Sequence, residues 1–128
     1  MLPEIPTVRI ARPTDNLRQL TRQYTEGLGF KVLGSFVNHD GFDGFIIGHD
    51  LQPYHFEFTY QHGTKVGTAP TKDHLIAFYV ARKSEWVRKC DEMLKAGFQL
   101  VESCNPYWDV NGKTFEDIDG YRVVLQNA

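Results

Sequence analysis

The stretch Tyr24-Thr-Glu-Gly-Leu-Gly-Phe30 joins a helical pattern to a strand pattern, and its end, Leu28-Gly29-Phe30, recurs in similar form as Ala96-Gly97-Phe98. Before the first copy, an alternating strand over 5–12 is followed by apolar residues at helical spacing. A strand over 74–81 and a second helical pattern precede the other copy, and three short strand patterns follow each copy. This order indicates a duplicated βαβββ unit.

We therefore predict an α+β fold in which one domain, residues 1–128, contains a first module of about 1–64 and a second of about 72–128. The polar, glycine-containing segment 61–72 is the predicted boundary between them. A module of roughly 60 residues cannot bury its sheet face alone, so the two modules should pair. We expect their eight strands to form a curved mixed sheet around a cleft, with the helices outside and a ligand in the cleft.

The composition excludes several classes of protein. Hydrophobic residues make up 41% of the 128 and aromatic residues 13%, which is enough for a packed core. A net charge of -2 gives no general reason to bind nucleic acid or an anionic membrane, and no apolar run is long enough to span a bilayer. Cys90 and Cys104 lack the spacing of a zinc motif, and the first residues lack a secretion signal, so we expect a cytoplasmic protein.

Several motifs spread over the whole chain carry a resemblance to a known family. They are Val8-Arg-Ile-Ala-Arg-Pro-Thr-Asp-Asn-Leu17, Tyr24-Thr-Glu-Gly-Leu-Gly-Phe30, Glu57-Phe-Thr-Tyr-Gln-His-Gly63, His74-Leu-Ile-Ala-Phe-Tyr-Val80 and Phe115-Glu-Asp-Ile-Asp-Gly-Tyr121. In this order they are similar to the two modules of the vicinal oxygen chelate superfamily. That superfamily contains glyoxalase I, bleomycin-resistance proteins and extradiol dioxygenases.

The resemblance also shows where metal-dependent members hold four ligands, two from each module. The first position falls on Arg9, whose guanidinium has no lone pair to donate, and the second falls on Glu57, a competent ligand. The third falls on His74 or on its neighbour Leu75, depending on the strand register, and the fourth falls on Val124. The resemblance therefore implies a member that lacks the metal site.

Arg9 and Glu57 should meet where the metal would have been. A planar guanidinium can donate two parallel hydrogen bonds to a carboxylate, so we predict an ion pair between them. The alternative is that Arg9 points to solvent and Glu57 is an exposed strand residue. A rival interpretation keeps a divalent metal, held by His55 and Glu57 on one strand face and by His74.

Aromatic residues are candidates for the walls of the ligand site. Asn105-Pro-Tyr-Trp-Asp109 is an irregular segment before the last hairpin, and the resemblance places such a segment along the cleft. The rings of Tyr107 and Trp108 would suit a planar or cationic molecule. The alternative is that one ring fills the core and the other covers the hairpin. The predicted ligand-binding residues are thus Arg9, His55, Glu57, Tyr107 and Trp108.

We predict a glyoxalase/bleomycin-resistance-like protein that binds a small organic molecule and needs no cofactor. The resemblance permits this function, because resistance-type members of the superfamily act by sequestering their ligands. The alternative is a metal-dependent lyase or dioxygenase of the same superfamily. A third interpretation, a structural or protein-interaction module, requires a cavity filled by its own side chains. Whether the protein is an enzyme stays open. Glu57 is the candidate catalytic residue, although pairing with Arg9 works against a role as general base. The resemblance also permits a homodimer.

Overall fold

Eight strands and three helices make up residues 3–128, the part of the chain that the computed structural model describes. The first module contains β1 (Val8–Pro13), α1 (Leu17–Leu28), β2 (Lys31–His39), β3 (Phe42–Gly48) and β4 (Tyr54–Gln61). The second contains β5 (Leu75–Tyr79), α2 (Lys83–Lys95), β6 (Gln99–Val101), α3 (Tyr107–Val110), β7 (Gly112–Glu116) and β8 (Arg122–Gln126). The first two residues of the predicted first module lie outside the described residues.

The strands form two four-stranded mixed sheets of identical topology. Sheet A has the order β1-β4-β3-β2, and sheet B has the order β5-β8-β7-β6. In each sheet the first strand pairs parallel with the last, and the other neighbours are antiparallel. A helix follows the first strand of each module, as a crossover toward a parallel partner requires. The α+β fold of two βαβββ modules is confirmed, with two separate sheets in place of one continuous sheet of eight strands.

The core lies between the two sheets. Alternation along β4 directs Phe56 and Phe58 toward α1, where Tyr24 is buried against both rings. Phe78 of β5 reaches the same cluster, with its ring centroid 6.0 Å from that of Phe30 and 6.5 Å from that of Phe56. Helices α1 and α2 contact each other. Side chains therefore pack between the modules, and a cleft of about 680 Å³ remains between α1 and the second module.

A buried polar cluster fastens the start of α1 to the turn between β7 and β8. Arg12 Nη2 donates to Asp117 Oδ2 at 2.8 Å, and the Tyr24 hydroxyl donates to the same oxygen at 2.7 Å. Thr14 Oγ1 and Asn16 Nδ2 donate to the carboxylate of Asp119, in the same turn, at 2.6 and 2.9 Å. Burial, followed by the nearby carboxylate of Asp117, raises the pKa of Tyr24. We call these residues the interface cluster.

The first helix begins without a side-chain cap. Thr14 and Asp15 lie just before it, and short oxygen-bearing side chains of this kind can accept from the free N–H groups at a helix start. Asn16 flanks α1 without a side-chain cap, Thr14 belongs to the interface cluster, and Asp15 accepts from the backbone N–H groups of Val66 and Gly67 at 2.9 Å each. These two hydrogen bonds lower the pKa of Asp15 and tie the segment between the modules to α1. Tertiary contacts thus compete successfully for residues that could cap the helix.

The helices of the described chain are short and amphipathic. Within residues 3–128, no helix combines the length and apolar character that crossing a membrane would require.

Candidate functional site

The outer face of sheet A, meaning the side turned away from α1, carries the predicted polar residues. Side chains of directly paired residues point to the same side of a sheet, so the strand registers define rows across this face. The three rows are Arg9, His55, Gly48 and Lys31; Ala11, Glu57, Ile46 and Gly34; and Pro13, Thr59, Gly44 and Phe36. Arg9, His55 and Glu57 therefore stand side by side on β1 and β4, as expected from their positions.

Arg9 and Glu57 form the ion pair that we predicted. Arg9 Nη1 lies 3.3 Å from Glu57 Oε1, and this is a single hydrogen bond rather than the expected two. The Arg9 side chain is 47% exposed and that of Glu57 is 22% exposed. Most N–H groups of the guanidinium and one carboxylate oxygen thus remain free for a ligand.

The strand registers decide which residues occupy the ligand positions implied by the family resemblance. Arg9 pairs with His55 on the neighbouring parallel strand, and Leu75 pairs with Arg122 in the same way. Val124, two residues after Arg122, therefore corresponds to Glu57, two residues after His55. His74 precedes β5, so Leu75 occupies the third position. The donor set does not fit a metal ion, because three of the four positions hold a guanidinium or an aliphatic side chain.

The residues of the rival metal site, His55, Glu57 and His74, are divided between the two modules. His55 and Glu57 belong to β4 of sheet A, whereas His74 lies at the start of sheet B. Across residues 3–128, no three or more His, Cys, Asp or Glu side chains are grouped so that they could hold a metal ion. The separation follows from the core between the sheets, which keeps their outer faces apart.

Apolar groups lie beside the ion pair on the same face. The Phe36 ring covers Gly44 so closely that a Cβ at Gly44 would overlap it. Ile46 extends over Gly34, where a Cβ would lie 3.6 Å from Ile46 Cδ1. We had not predicted Phe36 or Ile46 as site residues. Gly34 and Gly44, which lie inside the strand patterns, could have indicated them, since a glycine in a strand often marks a place where another group closely approaches the backbone.

The outer face of sheet B is covered by the chain's own segment 102–111, which contains α3. Arg122 Nη1 donates to Glu102 O at 3.0 Å, and Thr114 Oγ1 donates to Ser103 Oγ at 3.1 Å. A Cβ at Gly112 would lie 2.8 Å from the carbonyl oxygen of Trp108. Val124 is fully buried. The third interpretation, a cavity filled by the protein's own side chains, thus describes the outer face of sheet B. The matching face of sheet A is open.

Tyr107 and Trp108 lie on this covering segment and not beside Arg9. Their rings are 5.0 Å apart in an edge-to-face arrangement, and Tyr107 is 60% exposed. Trp108 is half-buried and lines a cleft of about 520 Å³, together with Lys72, Asp73, His74, Leu75, Cys104 and Asn105. The structure therefore brings Arg9, His55 and Glu57 together and keeps the two aromatic residues on the other module.

Comparison with known proteins agrees with this architecture. Residues 8–59 match the model of the YycE-like N-terminal domain, and residues 73–127 match that of the YycE-like C-terminal domain. The uncharacterized protein YycE of Bacillus subtilis (strain 168) is 42% identical over 121 residues, which are 94% of this chain and 87% of that protein. The crystal structure of YycE superposes on this chain with a TM-score of 0.88, over 95% of this chain and 89% of YycE. That structure is described as a protein of unknown function and a candidate glyoxalase/fosfomycin resistance protein.

More distant structures share the fold alone. Glyoxalase I of Leishmania major is 22% identical with a TM-score of 0.73, over 97% of this chain and 87% of its own. TnmS3, an antibiotic binding protein from Streptomyces sp. CB03234, is 15% identical with a TM-score of 0.63, over 98% of this chain and 97% of its own.

The two βαβββ modules define a protein of the vicinal oxygen chelate fold. The two family models match one module each, and the relative in Bacillus subtilis covers 94% of the chain. The chain belongs to the YycE-like family.

Proposed function

We propose that the protein binds a small organic molecule on the outer face of sheet A and does so without a metal ion. The observation that carries this proposal is the Arg9–Glu57 pair, which stands where metal-dependent members of the superfamily would hold an ion. The pair is half-exposed, retains unused hydrogen-bonding groups and lies beside Ile46 and Phe36. Polar anchors next to apolar surface are the usual composition of a small-molecule site.

The proposal gives Glu57 a binding role rather than a catalytic one. One oxygen of Glu57 accepts a hydrogen bond from Arg9, and the other oxygen would accept a hydrogen bond from the ligand. The alternative is a metal-dependent lyase or dioxygenase, which would need donors that Leu75 and Val124 lack. The name of TnmS3, an antibiotic binding protein, supports the choice, because a protein of this fold serves there in binding.

A second copy of the chain would complete the site in this proposal. In such a homodimer, the outer face of sheet A in one protomer meets the outer face of sheet B in the other. The exposed ring of Tyr107 and the neighbouring Trp108 would then face Arg9, His55 and Glu57 across the interface. This arrangement reunites the five predicted ligand-binding residues. A cytoplasmic location stays a prediction.

The experiment is a binding screen on the purified full chain, preceded by elemental analysis. We expect little bound metal, no thermal shift with nickel, zinc, manganese or iron, and saturable shifts with some planar or cationic compounds. Glu57→Gln should weaken the shifts of those compounds that donate a hydrogen bond to the carboxylate. Glu92→Gln, which changes an exposed ion pair on α2, is the matched control and should keep them.

Stoichiometric metal in the purified protein, lost in Glu57→Ala, would overturn the proposal in favour of the metal-dependent alternative. Sedimentation velocity tests the homodimer separately. A monomer at all concentrations would remove the second copy from the proposal, and ligand shifts in that monomer would leave the binding face of sheet A in place.

A further inference from the structure

We infer that the ligand of the outer face of sheet A is a neutral, planar molecule with an amide-like edge, meaning a hydrogen-bond acceptor and donor side by side. This inference rests on the proposed function and names the chemical class that the same site would accept. Three features support it: the Arg9–Glu57 pair, the width of the sheet between β4 and β2, and the charges around the face.

The charges on this face cancel. Arg9 and Glu57 neutralise each other at 3.3 Å, and Lys31, at the far end of the first row, has Asp50 Oδ2 3.9 Å from its Nζ. An anion that approached Arg9 would also meet Glu57, and a cation that approached Glu57 would also meet Arg9. Because either ion would lose hydration without a net attraction in return, the pair favours a neutral ligand.

The hydrogen-bonding groups of the pair are complementary to an amide edge. Arg9 can only donate, and ionised Glu57 can only accept. With one hydrogen bond between them, the pair presents donors and an acceptor next to each other on the open side of the sheet. A carboxamide, lactam or urea offers a carbonyl to Arg9 and an N–H to Glu57, and both of these hydrogen bonds are charge-assisted.

The apolar part of the face sets the size and shape of the remaining molecule. In the row of Glu57, Ile46 is the neighbour on β3 and its side chain extends over Gly34 on β2, so one aliphatic side chain forms the floor of this row. The Phe36 ring lies on the adjacent row over Gly44. Two strand spacings are about 10 Å, which matches a fused bicyclic ring lying flat from Glu57 toward β2.

The test uses three probes that share one ring system: 2-naphthamide, 2-naphthoate and 2-naphthylmethylammonium. Binding to the full chain is measured by titration calorimetry at moderate salt. We expect naphthamide to bind about tenfold more tightly than either ion. Glu57→Gln leaves Arg9 as an unbalanced cation, so naphthoate should become the tightest of the three. Glu92→Gln should change none of the affinities, and Phe36→Ala should weaken all three alike.

The outcomes separate this inference from the proposed function. If naphthoate or the ammonium probe binds the unmodified chain most tightly, and Glu57→Gln removes that binding, the inference of a neutral ligand is overturned and the proposed site is kept. Naphthamide binding that is unchanged in Glu57→Gln would place the amide elsewhere and overturn the inference. Failure of all three probes would overturn it too, and the proposed function would fall only if the broader screen also found no ligand sensitive to Glu57.

Discussion

The guanidinium of Arg12 and the carboxylate of Asp117 lie 2.8 Å apart at the interface between the two modules, with side chains that are 12% and 0% exposed. The Arg12 guanidinium carbon also lies 3.9 Å from the centre of the Tyr121 ring. Arg12 belongs to β1 of the first module, and Asp117 belongs to the turn between β7 and β8 of the second. Their contact therefore fixes the relative position of the modules.

We expect Asp117→Ala to lower the free energy of unfolding by about 3–5 kcal/mol, because it leaves the Arg12 charge buried without its partner. Urea denaturation followed by circular dichroism measures this loss. Glu92→Ala removes one partner of an exposed ion pair with Arg88 and should change the midpoint little. A loss in Asp117→Ala no larger than in that control would contradict the role of the interface cluster.

Tyr24 should make the protein sensitive to alkaline pH. Its raised pKa means that the folded state keeps the phenol protonated where the unfolded chain, with a pKa of about 10, would release the proton. The native state thus binds more protons above pH 10, and the stabilisation present below pH 10 is lost as pH rises toward the folded pKa. We expect Tyr24→Phe to flatten the fall of unfolding free energy between pH 9 and 11. Equal slopes in both proteins would contradict this.

Asp15 should act at the other end of the pH scale. Hydrogen bonds from Val66 and Gly67 lower its pKa below the ordinary 3.8, so the unfolded chain binds the proton more readily. The stabilisation is present above about pH 5 and is lost as pH falls through the folded pKa. Asp15→Asn should therefore show a shallower loss of thermal stability between pH 5 and 3. A slope identical to that of the unmodified chain would argue against these hydrogen bonds in solution.

Gly44→Ala should disturb the apolar part of the outer face of sheet A. The new Cβ would overlap the Phe36 ring, so we expect the ring to move and the unfolding free energy to fall by about 1–3 kcal/mol. Gly34→Ala is the control, because its Cβ would make only an ordinary 3.6 Å contact with Ile46. The double variant Gly44→Ala/Phe36→Ala should lose less than the sum of the single losses. Additive losses would show that the ring and the glycine are independent.

Local sequence patterns predicted the modules well. The alternation along Tyr54-His-Phe-Glu-Phe-Thr-Tyr60 and the left-handed glycines that follow α1 and α2, Gly29 and Gly97, obey steric and hydrophobic rules that act over a few residues. The ion pair of Arg9 and Glu57 was expected from the family resemblance, which places both residues at metal-ligand positions. Alternation puts each residue on one face of its own strand, and it does not show that β1 and β4 are neighbours.

The relative placement of the modules could not be predicted in the same way. Alternation shows that Phe56 and Glu57 point to opposite sides, yet it does not show which side meets the other module. The structure buries the phenylalanine side against Phe78 and leaves the Glu57 side open. The interface cluster was missed for a related reason, since Arg12 and Asp117 are charged residues that a sequence pattern assigns to the surface.

The two modules differ most in how their second and third strands are joined. Asp40 and Gly41 suffice between β2 and β3, whereas residues 102–111 connect β6 to β7 and fold over their own sheet. The second module thus has a built-in cover over its sheet, and the first module leaves the corresponding surface uncovered. Evolution or a protein engineer could lengthen, shorten or replace that connection to alter selectivity, while every ladder of backbone hydrogen bonds stays intact.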